Sequence, residues 1–179
     1  MKLTSILKEV LNEIGDLSKV QPLPFDLSSP LDYYFHLEDG TLVKLNFAPI
    51  SSVSRYGTFT TDSEAYDKDN RDLSKEFNTS FVVGGSQHQY TKSDLRSFNR
   101  LLKTIVVCVK DFVAKNDVDA LWIFGVDKSG RLAGDRQKNI LYKALTQNNL
   151  PPDYQMAPAT LDARRVGYDS VVQGWVAFK

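Results

Sequence analysis

The sequence predicts an α+β fold in which helices flank a mixed, largely antiparallel sheet. Alternating apolar and polar residues on both sides of Asp39-Gly40 indicate a β-hairpin. Apolar residues at helical spacing between Leu95 and Val113 indicate a long helix. The unbroken apolar run at 119–126 follows that helix and indicates a strand buried on both faces. We therefore expect the hairpin and the buried strand to share one sheet, with the long helix packed on it.

The chain begins with a predicted amphipathic helix. Its apolar residues recur on one helical face, and Gly15 marks its end. The stripe consists of Leu3, Ile6, Leu7, Val10, Leu11 and Ile14. A proline-containing stretch follows, so we predict a helix and linker over 1–30 and a single α+β domain over 31–179. The stripe packs either on this domain or on a partner protein, and a polar face that mixes Lys8 with Glu9 disfavours a membrane surface.

The remaining elements follow from the same patterns. Residues 77–83 are rich in β-branched and aromatic side chains and are predicted as a strand. A short helix that carries Tyr142 follows the buried strand, and a pair of prolines ends it. Two closing strands are predicted at 154–161 and 169–178.

The segment 51–75 differs in character from the rest of the chain. It is rich in Ser, Thr, Asp and Lys, shows little periodicity, and contains the aromatic residues Tyr56, Phe59 and Tyr66. An irregular segment of this length inside a compact domain is uncommon and often functional. Two interpretations remain open from the sequence: a mobile surface loop, or an interaction arm that becomes ordered on a neighbouring subunit.

Composition excludes several classes of function. The chain has 22 basic and 22 acidic residues, so no overall field attracts nucleic acid or an anionic membrane. Its one cysteine excludes a disulfide framework and a cysteine zinc site, and its two histidines lie in no metal-ligand spacing. No run approaches the roughly 20 apolar residues of a membrane span. The N-terminus has no secretory signal, so we expect a cytoplasmic protein or one assembled in the cytoplasm.

The order of the predicted helices and strands resembles that of a known protein family. Helix, hairpin, strand, helix, strand, helix and two strands follow one another, and Asn139 and Tyr142 lie in the segment NILYKAL. Over Asp32–Lys179 this order resembles the GCN5-related N-acetyltransferase family. The resemblance implies that family's fold, acetyl-CoA as cofactor, and Tyr142 as the general acid that protonates the leaving thiolate.

The stretch before the long helix departs from the pattern of that family. The family binds the cofactor pyrophosphate with a Gln/Arg-x-x-Gly-x-Gly/Ala loop, because glycine lets backbone amides at a helix N-terminus approach phosphate. Counted from Gln89, the two glycine positions hold Lys92 and Asp94. A carboxylate in the first helical turn repels phosphate. We therefore expect no cofactor, and Tyr142 as a packing residue.

A second resemblance concerns the residues from Phe98 to Tyr142. The long Val-rich helix and the Arg-x-x-x-x-x-Tyr helix are similar to those of small proteins of tailed bacteriophages. Together with the terminal helix and the polar segment, this resemblance implies a non-enzymatic structural or assembly subunit of a virion, associated with the portal, tail or capsid. Its partners would be other virion proteins or copies of itself, without a small-molecule substrate, and its location would be the virion, assembled in the host cytoplasm. The predicted interaction residues are Leu3, Ile6, Leu7, Val10, Leu11, Tyr56, Phe59 and Tyr66.

Two alternatives stay open at this stage. One is an active acetyl-CoA-dependent N-acyltransferase with a divergent cofactor loop, in which Tyr142 is catalytic. The other is a nucleic-acid-binding accessory domain, which the neutral net charge disfavours. It would use the arginines around Arg164. A cluster of Arg131, Arg136, Arg164 and Arg165 near the sheet end would either form backbone or partner salt bridges or bind phosphate.

Overall fold

A computed structural model describes residues 17–54, 57–67, 69–83, 95–124, 143, 149–162, 164 and 171–179. Within these residues the strands are β1 (Phe25–Ser29), β2 (Asp32–His36), β3 (Leu42–Pro49), β4 (Thr58–Thr60), β5 (Glu76–Val83), β6 (Ala120–Ile123), β7 (Gln155–Asp162) and β8 (Val171–Phe178). The helices are α1 (Ile50–Val53) and α2 (Leu95–Lys115), preceded by a 3-10 turn at Leu17–Lys19.

The eight described strands form one sheet in the order β1-β2-β3-β5-β6-β8-β7-β4. Neighbouring strands are antiparallel except for β5 and β6, which run parallel on either side of the α2 connection. The described part of the chain therefore confirms the predicted α+β class and its mixed, largely antiparallel sheet. The predicted N-terminal helix lies outside the described residues, as does the helix around Tyr142 apart from Lys143.

The β2–β3 hairpin forms where the sequence predicts it. Gly40 has a φ of +83°, a left-handed conformation that glycine adopts without steric cost. The Asp39 carboxylate accepts a hydrogen bond from the Thr41 backbone N–H, with 2.9 Å between the two atoms. An aspartate and a glycine therefore define this turn, as the Asp-Gly signal implies.

Helix α2 covers one face of the sheet. Phe112 on the helix is fully buried and stacks on Phe47 of β3, with ring centroids 3.9 Å apart and 3° between the ring planes. Phe77 of β5 meets the same helix residue edge-on, with the ring centroids 5.0 Å apart. Cys108 lies in this core with no exposed surface. The predicted apolar stripe thus meets the sheet in the described C-terminal half of the helix, at Val109, Phe112 and Val113.

The polar segment covers part of the opposite face. Thr58–Thr60 pairs antiparallel with β7, and Phe59 and Tyr66 are buried in a cluster with Trp122. In the described residues the segment packs on the sheet of its own chain, which neither interpretation of the segment predicted. Burying two large aromatic rings favours this docking.

A short strand also replaces part of the predicted linker. Phe25–Ser29 pairs antiparallel with β2, so the sheet begins before residue 31, the predicted start of the domain. A strand of five residues that follows a proline has too little periodicity to be recognised in the sequence. Within the described residues, no helix is both long enough and apolar enough to cross a membrane.

Candidate functional site

A buried carboxylate organises the face of the sheet that the polar segment covers. Glu76 begins β5 and is 2% exposed. Its Oε1 accepts hydrogen bonds from the Tyr66 hydroxyl at 2.6 Å and from Arg71 Nε at 2.9 Å. Its Oε2 accepts from Arg71 Nη2 at 2.7 Å and from Trp122 Nε1 at 2.8 Å. Four donors around one carboxylate satisfy a buried charge that would otherwise be strongly destabilising.

The electrostatics of this cluster follow from its geometry. Burial by itself raises the pKa of Glu76, but the hydrogen bonds from Arg71, Tyr66 and Trp122 outweigh burial and hold the pKa below its ordinary value of 4.5. Burial and the hydrogen bond to Glu76 raise the pKa of Tyr66. The carboxylate is therefore ionised and the phenol neutral at pH 7, which fits a structural ion pair.

Aromatic rings enclose the cation of this pair. The Arg71 guanidinium lies 5.3 Å from the centroid of Tyr66 and 5.4 Å from that of Trp122. The Tyr66 ring in turn meets Trp122 and Phe178 edge-on, at centroid distances of 5.7 and 5.2 Å. These contacts combine cation–π attraction with burial of apolar surface. They tie the polar segment to β5, β6 and β8.

The second candidate site lies where the pairing of the two parallel strands, β5 and β6, ends. The pairing of β5 with β6 runs from Glu76↔Ala120 to Thr79↔Ile123 and stops there. Strand β5 continues through Ser80–Val83, and among the described strands only β3 pairs with this part. Carboxyl ends of parallel strands are common ligand-binding positions in α/β sheets, because the strand ends leave a crevice. The segments that follow both strands, 84–94 and 125–142, lie outside the described residues.

A third feature is the free edge of β1. No other described strand lies beyond it, and Leu27 in its middle is 45% exposed. A groove of about 440 Å³ lies beside it, lined by Leu27, Ser28, Ser29, Pro30, Tyr33, Lys115 and Asn116. Two polar groups at the rim of this groove pair with the Asp111 carboxylate. The Tyr33 hydroxyl donates to it at 2.9 Å, and Lys115 Nζ lies 2.8 Å from it.

Three of the residues that the sequence predicts as functional lie in the described part of the chain. Phe59 and Tyr66 lie inside the protein, in the cluster around Trp122. Arg164 pairs with its near neighbour Asp162, at 2.6 Å between Nη2 and Oδ2. The other predicted residues lie outside the described part of the chain; they are Leu3, Ile6, Leu7, Val10, Leu11, Tyr56, Arg131, Arg136, Asn139, Tyr142 and Arg165, together with the loop residues Gln89, Lys92 and Asp94. In the described ranges no three His, Cys, Asp or Glu side chains are grouped as metal ligands would be.

Sequence reasoning missed the Glu76 cluster. Its donors lie 5, 10 and 46 residues from the carboxylate, and no spacing rule connects them. One weak signal exists, because Glu76 lies directly between the polar segment and the predicted strand at 77–83. No family model, curated protein or solved structure matches the chain.

Proposed function

We propose that the protein is a non-catalytic structural or assembly subunit of a tailed-bacteriophage virion, built on an acetyltransferase-like domain. The observation that carries the assembly role is the β1 edge, beyond which no described strand lies and on which the side chain of Leu27 is exposed. An open edge of this kind is a template for pairing with a strand of another chain. Its partner would be another virion protein or a second copy of the chain.

The order of the strands supports the acetyltransferase-like part of this proposal. A parallel pair, β5 and β6, flanks the long helix α2, and the last two strands return to the edge of β6. The resemblance implies this sequence of elements. The non-catalytic part is supported by Lys92 and Asp94 at positions where the family has glycine or alanine.

The first test of this proposal is the presence of the chain in purified phage particles, measured by mass spectrometry alongside light scattering of the isolated protein. We expect the chain in stoichiometric amounts with the particle. Leu27→Lys should reduce its incorporation, because a charge at the edge opposes strand pairing. Val171→Lys is the matched control, since Val171 is also an exposed apolar residue (41%) but lies on β8. A monodisperse monomer that is absent from particles would overturn the proposal.

One observation favours a second candidate, an active acetyl-CoA-dependent N-acyltransferase. The described pairing of β5 with β6 ends after Thr79 and Ile123, and the carboxyl ends of parallel strands are common ligand-binding positions. Calorimetric titration of acetyl-CoA into the purified chain tests this candidate. Saturable binding near micromolar, together with activity that Tyr142→Phe abolishes, would support it. A folded protein that gives no heat signal would exclude it.

A further inference from the structure

The polar segment forms a strap whose two ends lie close together. The strap is defined here as the described residues of the polar segment up to residue 74, that is 51–54, 57–67 and 69–74. Its two ends are held together by a hydrogen bond from the Ser51 backbone N–H to the Leu73 carbonyl, with 3.2 Å between N and O. Inside the strap, the Asp67 carboxylate accepts hydrogen bonds from the backbone of Asp69 and Asn70. Several backbone groups of the strap are thus paired within the strap, as in a compact Ω-loop.

The contacts of the strap with the rest of the protein are made mainly by side chains. The described backbone pairing is limited to the three residues of β4 against β7. Thr61 Oγ1 adds a hydrogen bond to the Pro158 carbonyl at 2.7 Å. The other attachments are the rings of Phe59 and Tyr66 and the guanidinium of Arg71. A region with few backbone links to the core opens at a lower free energy than the core itself.

The Glu76 carboxylate, which accepts hydrogen bonds from the strap, belongs to the core. Glu76 lies in β5, which is paired with β3 on one side and β6 on the other. Three of its four hydrogen bonds come from the strap, two from Arg71 and one from Tyr66, and the fourth comes from Trp122. When the strap leaves, Glu76 and Arg71 both regain water. This hydration offsets part of the lost attraction, because a buried ion pair carries a large desolvation cost.

We propose that the strap opens as a unit while the rest of the sheet stays folded, and that the Arg71–Glu76 pair is the latch that holds it closed. Opening removes the cover from the Trp122 ring and frees the edge of β7 that pairs with β4. The protein therefore contains a conformational device that switches one sheet face between covered and accessible. This inference stands independently of the virion role.

Hydrogen exchange measured by mass spectrometry on the full chain tests the latch. In Arg71→Ala, we expect peptides from the strap to exchange roughly tenfold faster than in the unmodified protein, while peptides from β6 and β3 keep their rates. Arg164→Ala is the matched control, because it removes an exposed arginine from its pair with Asp162 and should change neither region. Unchanged exchange in the strap, or an equal acceleration in β6, would overturn the proposal.

A covalent staple tests the opening without weakening the fold. Thr60 of the strap is the cross-strand partner of Thr160 in β7, so Thr60→Cys combined with Thr160→Cys places two thiols at a cross-strand separation suited to a disulfide. The native Cys108 is buried and does not compete. We expect oxidation of this variant to slow exchange of the strap by about tenfold relative to the reduced form, with β6 unchanged. Identical exchange of the two forms would show that the strap does not open separately.

Discussion

The Phe124 ring lies directly over the backbone of Gly174. A Cβ atom at position 174 would be 2.4 Å from Cδ1 of Phe124 and 2.3 Å from the carbonyl oxygen of Ile123. Gly174→Ala should therefore destabilise the fold by about 1–3 kcal/mol, the usual cost of overpacking a core position. Urea unfolding measures this free energy. Adding Phe124→Ala should not rescue Gly174→Ala, because the carbonyl of Ile123 remains in place and a new cavity is created; full rescue would contradict this account.

Removing the charge of Glu76 should be far more costly than removing an exposed charge. In Glu76→Gln, Arg71 loses its anion in a site where its side chain is only 21% exposed, so we expect a loss of about 3–5 kcal/mol in the free energy of unfolding. Asp162→Asn removes the partner of Arg164, which is 64% exposed, and should cost less than about 1 kcal/mol. Equal losses in the two variants, measured by chemical denaturation, would argue against a structural ion pair at Glu76.

The Glu76 carboxylate should make the free energy of unfolding sensitive to acid. The pKa of Glu76 in the folded protein is held below its ordinary value of 4.5, so the folded state favours the ionised form. Its stabilisation is complete above pH 4.5 and is lost as the pH falls through the lowered folded pKa, because the unfolded state then binds a proton more readily. The free energy of unfolding should therefore decline more steeply below pH 4.5 in the unmodified protein than in Glu76→Gln. Parallel curves for the two proteins would contradict this assignment.

The Cys108 thiol should be unreactive in the folded protein. Burial, with a smaller effect of the Asp111 charge, raises the pKa of Cys108 to about 12. At pH 8 a thiol reagent should react negligibly with the folded chain and with one equivalent in denaturant, since the sequence has one cysteine. Labelling kinetics over a range of urea concentrations then report global opening of the core under α2. Rapid, stoichiometric labelling without denaturant would contradict this burial.

The elements with strong local patterns were predictable from the sequence. Asp39-Gly40 defines the hairpin turn, and Leu101, Val109 and Phe112 of the predicted stripe lie on the sheet-facing side of α2. The short strands β1 and β4 were not predictable, because three to five residues carry too little periodicity and depend on the neighbouring strand for pairing. The burial of Phe59 and Tyr66 was missed for the same reason.

The sequence by itself determined the fold class, the α2 stripe, the closing strands and the neutral charge balance, because periodicity and composition are local or additive properties. Tertiary structure decided which side chains lie in contact. It brought Arg71, Tyr66 and Trp122 around Glu76, although a lone glutamate in a sequence is normally assigned to the surface. It also turned a polar segment into a cover for the sheet. Contacts between residues far apart along the chain exist only once the strands are paired, and a single sequence carries no local mark of them.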